Sequence, residues 1–234
     1  MSFYITITKN KNGDISSHIK DSINLTKGLW RAALVETYFP CKFPQIVKNE
    51  LICTTYTKHS SENIESVNHH ANNNMFFNSY TKFINYLYRH FLKKHRIDIS
   101  YVDQHVIIKS QMPRFFSVVF SEKIAYMLGV EPNLPLTESK SNIGDLNGGF
   151  YNLYLYANII TPQHIGNAKG SLLKTLAIDR SQEYKHNIIK NPQYMDVYHT
   201  QLTRINLIFR DLTGKIVQLP NGFVSFVLHF KQIT

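Results

Sequence analysis

Tyr151-Asn152-Leu153-Tyr154-Leu155-Tyr156-Ala157-Asn158-Ile159-Ile160 alternates with a period of two: Leu153, Leu155, Ala157 and Ile159 fall on one side, Asn152, Tyr154, Tyr156 and Asn158 on the other. Successive side chains of a strand point to opposite faces, so this pattern puts one face in a core and the other towards solvent or a neighbour. The same pattern recurs downstream. Ile205, Leu207 and Phe209 alternate with Asn206, Ile208 and Arg210, and Val224, Phe226, Leu228 and Phe230 alternate with Phe223, Ser225, Val227 and His229. Between these last two runs, Asp211-Leu212-Thr213-Gly214 supplies turn residues, which predicts that they pair as a hairpin.

Outward from this third of the chain the reading stays mostly β. Phe3–Thr8 opens as a strand with turn residues at Lys11-Asn12-Gly13-Asp14, and strand-like runs follow at 15–25, 29–38 and 50–57. Residues 60–78 are rich in Asn, His and Ser and read as an exposed, mobile loop. Then Phe83, Ile84, Leu87, Tyr88, Phe91 and Leu92 recur as one face of a helix that Ser79 would cap. A hairpin of 97–102 and 106–109 is expected around Asp103-Gln104, then a strand at 116–120. Ser121 to Gly129 reads as a short helix capped by the serine and closed by the glycine. Residues 131–149, with Pro132, Pro135, Gly144, Gly148 and Gly149, read as a long surface loop. About ten strands with no fixed-period repeat predict one domain over 1–234: a single jelly-roll β-sandwich carrying a helical and loop insertion at about 58–96 and a loop at about 131–149.

Bulk properties fit such a domain. A β-domain of 234 residues is large enough to bury roughly 70% of its unfolded surface, so it needs neither disulfide nor metal to fold. No apolar run reaches the roughly 20 residues of a membrane helix, and the start Met1-Ser2-Phe3-Tyr4 has no charged-then-apolar signal region; the protein is expected to be made inside a cell, not secreted by signal peptide. Cys41 and Cys53 are then expected as free thiols. The formal charge of +10, from 26 basic and 16 acidic residues, favours contact with polyanions and equally serves solubility.

Catalytic equipment is hard to find. The acidic residues are scattered without a pair suited to acid–base work, and none of the eleven histidines stands in a His-Glu-x-x-His or His-x-His setting. Gly-x-Ser-x-Gly, a P-loop and Gly-x-Gly-x-x-Gly are all missing from the sequence. His69 and His70 are adjacent, so on an extended chain they point apart. His164 reads as a loop residue and Trp30 as core. No catalytic, cofactor or metal site is expected. The residues that stand out are Arg89, Lys93, Lys94 and Arg96, interleaved with Tyr88, Phe91 and His95, where cations and rings together would suit a phosphate backbone. Their plainer reading is a helix with a basic solvent face.

Four blocks carry a family resemblance. They are Gly28-Leu29-Trp30-Arg31-Ala32-Ala33-Leu34-Val35-Glu36-Thr37-Tyr38-Phe39-Pro40; Leu153 to Asn167 with its Pro162-Gln163-His164-Ile165-Gly166 turn, then Ser171-Leu172-Leu173-Lys174; Asn191-Pro192-Gln193-Tyr194-Met195-Asp196-Val197-Tyr198; and Ile208 to Gly214 with Gly222 to Lys231. In this order they resemble the minor capsid proteins of Polinton (Maverick) elements and adintoviruses. The resemblance covers residues 3–40 and 115–231 and has no counterpart for 45–95. It implies a penton-type, single jelly-roll structural protein of the virion, without enzymatic activity, that forms homopentamers at icosahedral vertices beside the major capsid protein, with packaged DNA as a further partner on the inner face. The other readings kept open are a basic β-domain that binds nucleic acid and a carbohydrate-binding attachment module.

Overall fold

A computed structural model describes residues 1–10, 13–59, 63–165 and 168–233. The chain opens with strands β1 (Ser2–Thr8), β2 (Ile15–Asn24) and β3 (Leu29–Pro40), followed by β4 (Leu51–Lys58) and β5 (Ile64–His70). Helix α1 (Tyr80–Leu87) runs into a π turn (Tyr88–Leu92) and a 3-10 turn (Lys93–His95). Then come β6 (Ile97–Val102), β7 (His105–Ser110), β8 (Phe116–Phe120), helix α2 (Glu122–Leu128) and β9 (Glu138–Lys140). The last third holds β10 (Asn152–Ala157), β11 (Gln163–Ile165), β12 (Ala168–Gly170), β13 (Leu172–Ala177), β14 (Tyr184–Ile188), β15 (Met195–Asp196), β16 (Gln201–Arg210) and β17 (Ser225–Ile233). The chain is mainly β and divides into two compact units, Met1–Phe43 with Phe150–Thr234, and Pro44–Gly149.

The first unit is a jelly roll. One sheet has the order β1-β17-β3-β14, with β15 also on β3, and the other β13-β10-β16-β2, so β1, β2 and β3, and again β15, β16 and β17, alternate between sheets. Alternation built it. Leu153, Leu155, Ala157, Ile205, Leu207, Phe209, Val224, Phe226, Leu228 and Phe230 all turn into one core, each of these apart from the small Ala157 contributing on the order of 1.5–3 kcal/mol on burial. Phe226 ties the layers together, its ring centroid 6.1 Å from Phe39 in its own sheet and 5.3 Å from Phe209 in the other. In β3 the register slips opposite Val227 and Leu228, leaving Val35 as an extra residue. That bulge lets Trp30, Ala32 and Leu34 before it, and Thr37 and Phe39 after it, all face inward. Where the first unit is interrupted, Phe43 and Phe150 meet edge to face at 5.2 Å, with the Arg180 guanidinium over the Phe150 ring.

The expected hairpin of the last two long strands does not form. The Asp211–Gly214 turn does close, with Asp211 Oδ1 accepting from the backbone of Thr213 and Lys215, and Val217 bonds back to Phe209. The chain then leaves through Leu219-Pro220, and β17 joins the opposite sheet between β1 and β3. Proline cannot donate to a ladder, and a turn fixes only the residues beside it. The Lys11-Asn12 part of the first expected turn lies outside the described residues, as does Gly166-Asn167 of the Pro-Gln-x-x-Gly turn; β11 and β12 pair on either side of the latter.

The second unit has its own core, formed by Phe83, Leu87, Leu92, Ile97, Ile108, Phe120, Met127 and their neighbours. Two three-stranded sheets, β5-β4-β8 and β6-β7-β9, pack with the helices. The β6–β7 hairpin turns on Asp103 and Gln104, both at positive φ, as expected. The insertion expected at about 58–96 lies within this unit, which takes in 44–149. Part of the supposed mobile loop at 60–78 is β5, a polar edge strand registered along β4; residues 60–62 are outside the described set. Part of the supposed loop at 131–149 is β9, paired with β7. Ser79 caps α1, accepting from Lys82 N–H at 3.4 Å. Ser121 holds the cap position of α2 without a side-chain bond, and Gly129 closes that helix at φ +72°.

Candidate functional site

Arg89, Lys93, Lys94 and Arg96 all reach solvent at the end of α1. The helix leaves α geometry at Tyr88, which ends the 3.6-residue periodicity that the sequence reading assumed. Arg96 takes the left-handed conformation (φ +53°) and sets Nη1 3.1 Å from Met112 Sδ. None of the four lies within ion-pairing distance of a carboxylate among the described residues. Cations at a helix C-terminus also complement its dipole, so this cluster has a local structural role as well.

Lys94 also acts inward. Beneath it the buried hydroxyl of Thr55 lies 2.9 Å from His69 Nε2 and 3.1 Å from His95 Nε2. Burial, together with the charges of Lys94 and the neighbouring histidines, pulls His69 down to about 4, and burial and Lys94 lower His95. Burial pushes the nearby Cys53 thiol up to about 12 and raises Cys41 as well. Both cysteines are buried free thiols. His70, by contrast, is exposed and bonds to Asn49 O, so the adjacent pair does point apart.

The outer face of the β13-β10-β16-β2 sheet carries a second group of cations and rings that is not evident as a cluster in the sequence. Its registers set Arg210 opposite Tyr154, Ile208 opposite Tyr156, Asn206 opposite Ser16 and Arg204 opposite His18. The Arg210 guanidinium sits 5.8 Å from the centre of the Tyr156 ring and donates to Gly214 O at 2.6 Å. A Cβ on Gly170 would come within 3.0 Å of that ring, so the glycine lets the β12 backbone brace it. The signal was present in the alternation itself: the positions between the apolar ones carry two arginines and two tyrosines.

The first unit also has an open depression of about 330 Å³ lined by Gln163, His164, Leu172, Lys174, Gln193 and Met195 among others, with no carboxylate among the described residues of its wall. His164 is exposed there, but it lies in strand β11 opposite Lys169 of β12 and not in the loop that the sequence suggests. Among the described residues no group of three or more His, Cys, Asp or Glu side chains is placed to hold a metal, and no helix is long and apolar enough to cross a membrane.

No protein-family model matches the chain, and no curated protein matches it. Among solved structures, the mavirus penton protein aligns over 100% of this chain and 99% of its own at 11% identity, with a TM-score of 0.52. A chain of the Sputnik virophage, solved by electron cryo-microscopy, aligns over 99% and 98% at 10% identity, with a TM-score of 0.49. The first of these likenesses gives the chain the fold of a penton protein.

Proposed function

We propose that the protein is a structural subunit of a viral capsid, a penton-type minor capsid protein that forms homopentamers at icosahedral vertices beside a major capsid protein. The observation that carries this reading is the full-length likeness in fold to the mavirus penton protein, taken with the ordered sequence blocks that resemble Polinton and adintovirus minor capsid proteins. A subunit of this kind works through its edges and loops, and a ring of identical copies needs head-to-tail contacts that close on themselves. Exposed apolar side chains near such surfaces, Leu212, Ile216 and Phe223 after β16 and Phe76 and Ile143 in the second unit, suit burial against neighbours. In a particle, Arg89, Lys93, Lys94 and Arg96 are candidates for contact with packaged DNA.

The test is electron microscopy and light scattering of the purified chain, alone and co-expressed with the major capsid protein of the same genome. Five copies of 27.2 kDa make a ring of about 136 kDa. Rings of that mass, or density for this chain at particle vertices, support the reading. A strict monomer that never enters particles overturns it.

A further inference from the structure

The chain's excess charge is not evenly spread. The first unit holds 15 Lys and Arg against 7 Asp and Glu, a net of +8, while residues 44–149 hold 11 against 9, a net of +2. Within the first unit the two sheets treat their cations differently. On and beside the β1-β17-β3-β14 sheet two cations have carboxylate partners: Arg31 pairs with Asp196 at 2.6 Å and Lys42 with Glu183 at 2.6 Å. On the other sheet, Lys20, Arg204 and Arg210 have no carboxylate within 4.0 Å among the described residues. The one acid in β2, Asp21, has no ion-pair partner among the described residues either. Asp211, beyond the end of β16, spends Oδ1 on its own turn.

We infer that the outer face of the β13-β10-β16-β2 sheet is a nucleic-acid-binding surface, with Arg204, Arg210 and Lys20 taking phosphates and Tyr154 offering a ring to a base. Six residues of strand separate the two arginines, about 20 Å, enough to follow several phosphates of an extended single strand. The tyrosines lie on β10, a central strand, where a four-stranded sheet carries its stacking rings when it binds single-stranded nucleic acid. Tyr156, beside Gly170, lies 5.8 Å from the Arg210 guanidinium, which also donates to the Gly214 carbonyl. The face is thus partly organised before any ligand arrives. An acidic membrane is the poorer fit, because Ile208 is the one large aliphatic side chain standing exposed on β16.

This inference does not depend on assembly into a capsid, and its test separates the two. Fluorescence anisotropy with a labelled 20-nucleotide oligo-dT, over a range of salt, compares the full-length protein with Lys20→Glu/Arg204→Glu/Arg210→Glu. A control, Lys27→Glu/Lys42→Glu/Lys190→Glu, removes equal charge from exposed positions elsewhere in the same unit. The expected result is a loss of tenfold or more for the first variant and less than threefold for the control, with the salt slope falling by about 2 as three phosphate contacts disappear. Arg204→Gln/Arg210→Gln, a milder change, should weaken binding in the same direction with an unchanged melting temperature. The inference is overturned if wild type does not bind, if both triple variants lose affinity equally, or if vesicles containing phosphatidylserine bind while the oligonucleotide does not. Ring formation, followed separately, reports on the capsid reading alone.

Discussion

His69 and His95 meet edge to face with ring centroids 5.3 Å apart, and both turn Nε2 onto the single hydroxyl of Thr55. That hydroxyl has one proton to give and lone pairs to accept with, so with both rings neutral it donates to one histidine and accepts from the other. Protonating either ring puts a charge beside Lys94 in a buried setting.

Acid should therefore destabilise the protein through these rings. Both histidines are held below their ordinary value of 6.5, His69 at about 4, so between these limits the unfolded chain binds protons that the folded chain does not. Stability is complete above pH 6.5 and falls as the pH drops towards 4, with His69 accounting for at most about 3 kcal/mol. Thermal melts from pH 7.5 to 4.5 should show a falling melting temperature, and His69→Gln, which keeps a partner for Thr55, should flatten the fall between pH 6.5 and 5. An unchanged slope in that variant would remove His69 from the account.

Phe226→Ala should cost about 3–5 kcal/mol in urea unfolding. The ring is fully buried and touches aromatic rings of both sheets, so neither layer relaxes into the vacancy alone. Tyr4→Ala, at the exposed edge strand and stacked on His229 at 4.4 Å, should cost well under half of that.

Gly129→Ala should destabilise by about 2 kcal/mol or more. The residue sits at φ +72°, and a Cβ there would lie 2.4 Å from Asn142 O, in a returning segment whose own N–H bonds to Gly129 O. Gly214→Ala is the comparison: it also has positive φ (+83°) but open space around it, so it should lose only the conformational part. Equal costs at the two sites would mean that the close approach of backbone does not matter.

Both cysteines should resist thiol reagents in the folded protein and react at once in denaturant. Burial raises each thiol, Cys53 to about 12, which leaves almost no thiolate at neutral pH. Fast labelling of either under native conditions would contradict the burial described here.

The strands that carry the jelly roll were readable because each has one face in a core, and period 2 reports that face. Alternation does not report which of two sheets a strand joins, so β16 and β17, adjacent in sequence and joined by a good turn, look like a hairpin yet lie in opposite sheets. Polar edge strands escape the pattern for a different reason. β5 is paired on one side and shows both faces largely to solvent, so its sequence looks like a loop; only Val67, His69 and Ala71, at alternate positions and turned progressively inward, hint at a strand. At the candidate sites, the cluster after α1 was visible as a run of cations. Arg204, Arg210 and Tyr154 show in the sequence only as the polar half of an alternation, because the register of β10 on β16 is what places them on one sheet face.

Phe43 and Phe150 form a clasp at the mouth of the insertion. The 106 residues from 44 to 149 leave and re-enter the jelly roll between two rings already held together, so the sandwich does not rely on that excursion to bring β3 and β10 into place. Each doubling of such an excursion costs only about 0.6 kcal/mol in closure entropy. Insertions and deletions within 44–149 should therefore be tolerated by the jelly-roll body, because the contact that closes it at that point is its own.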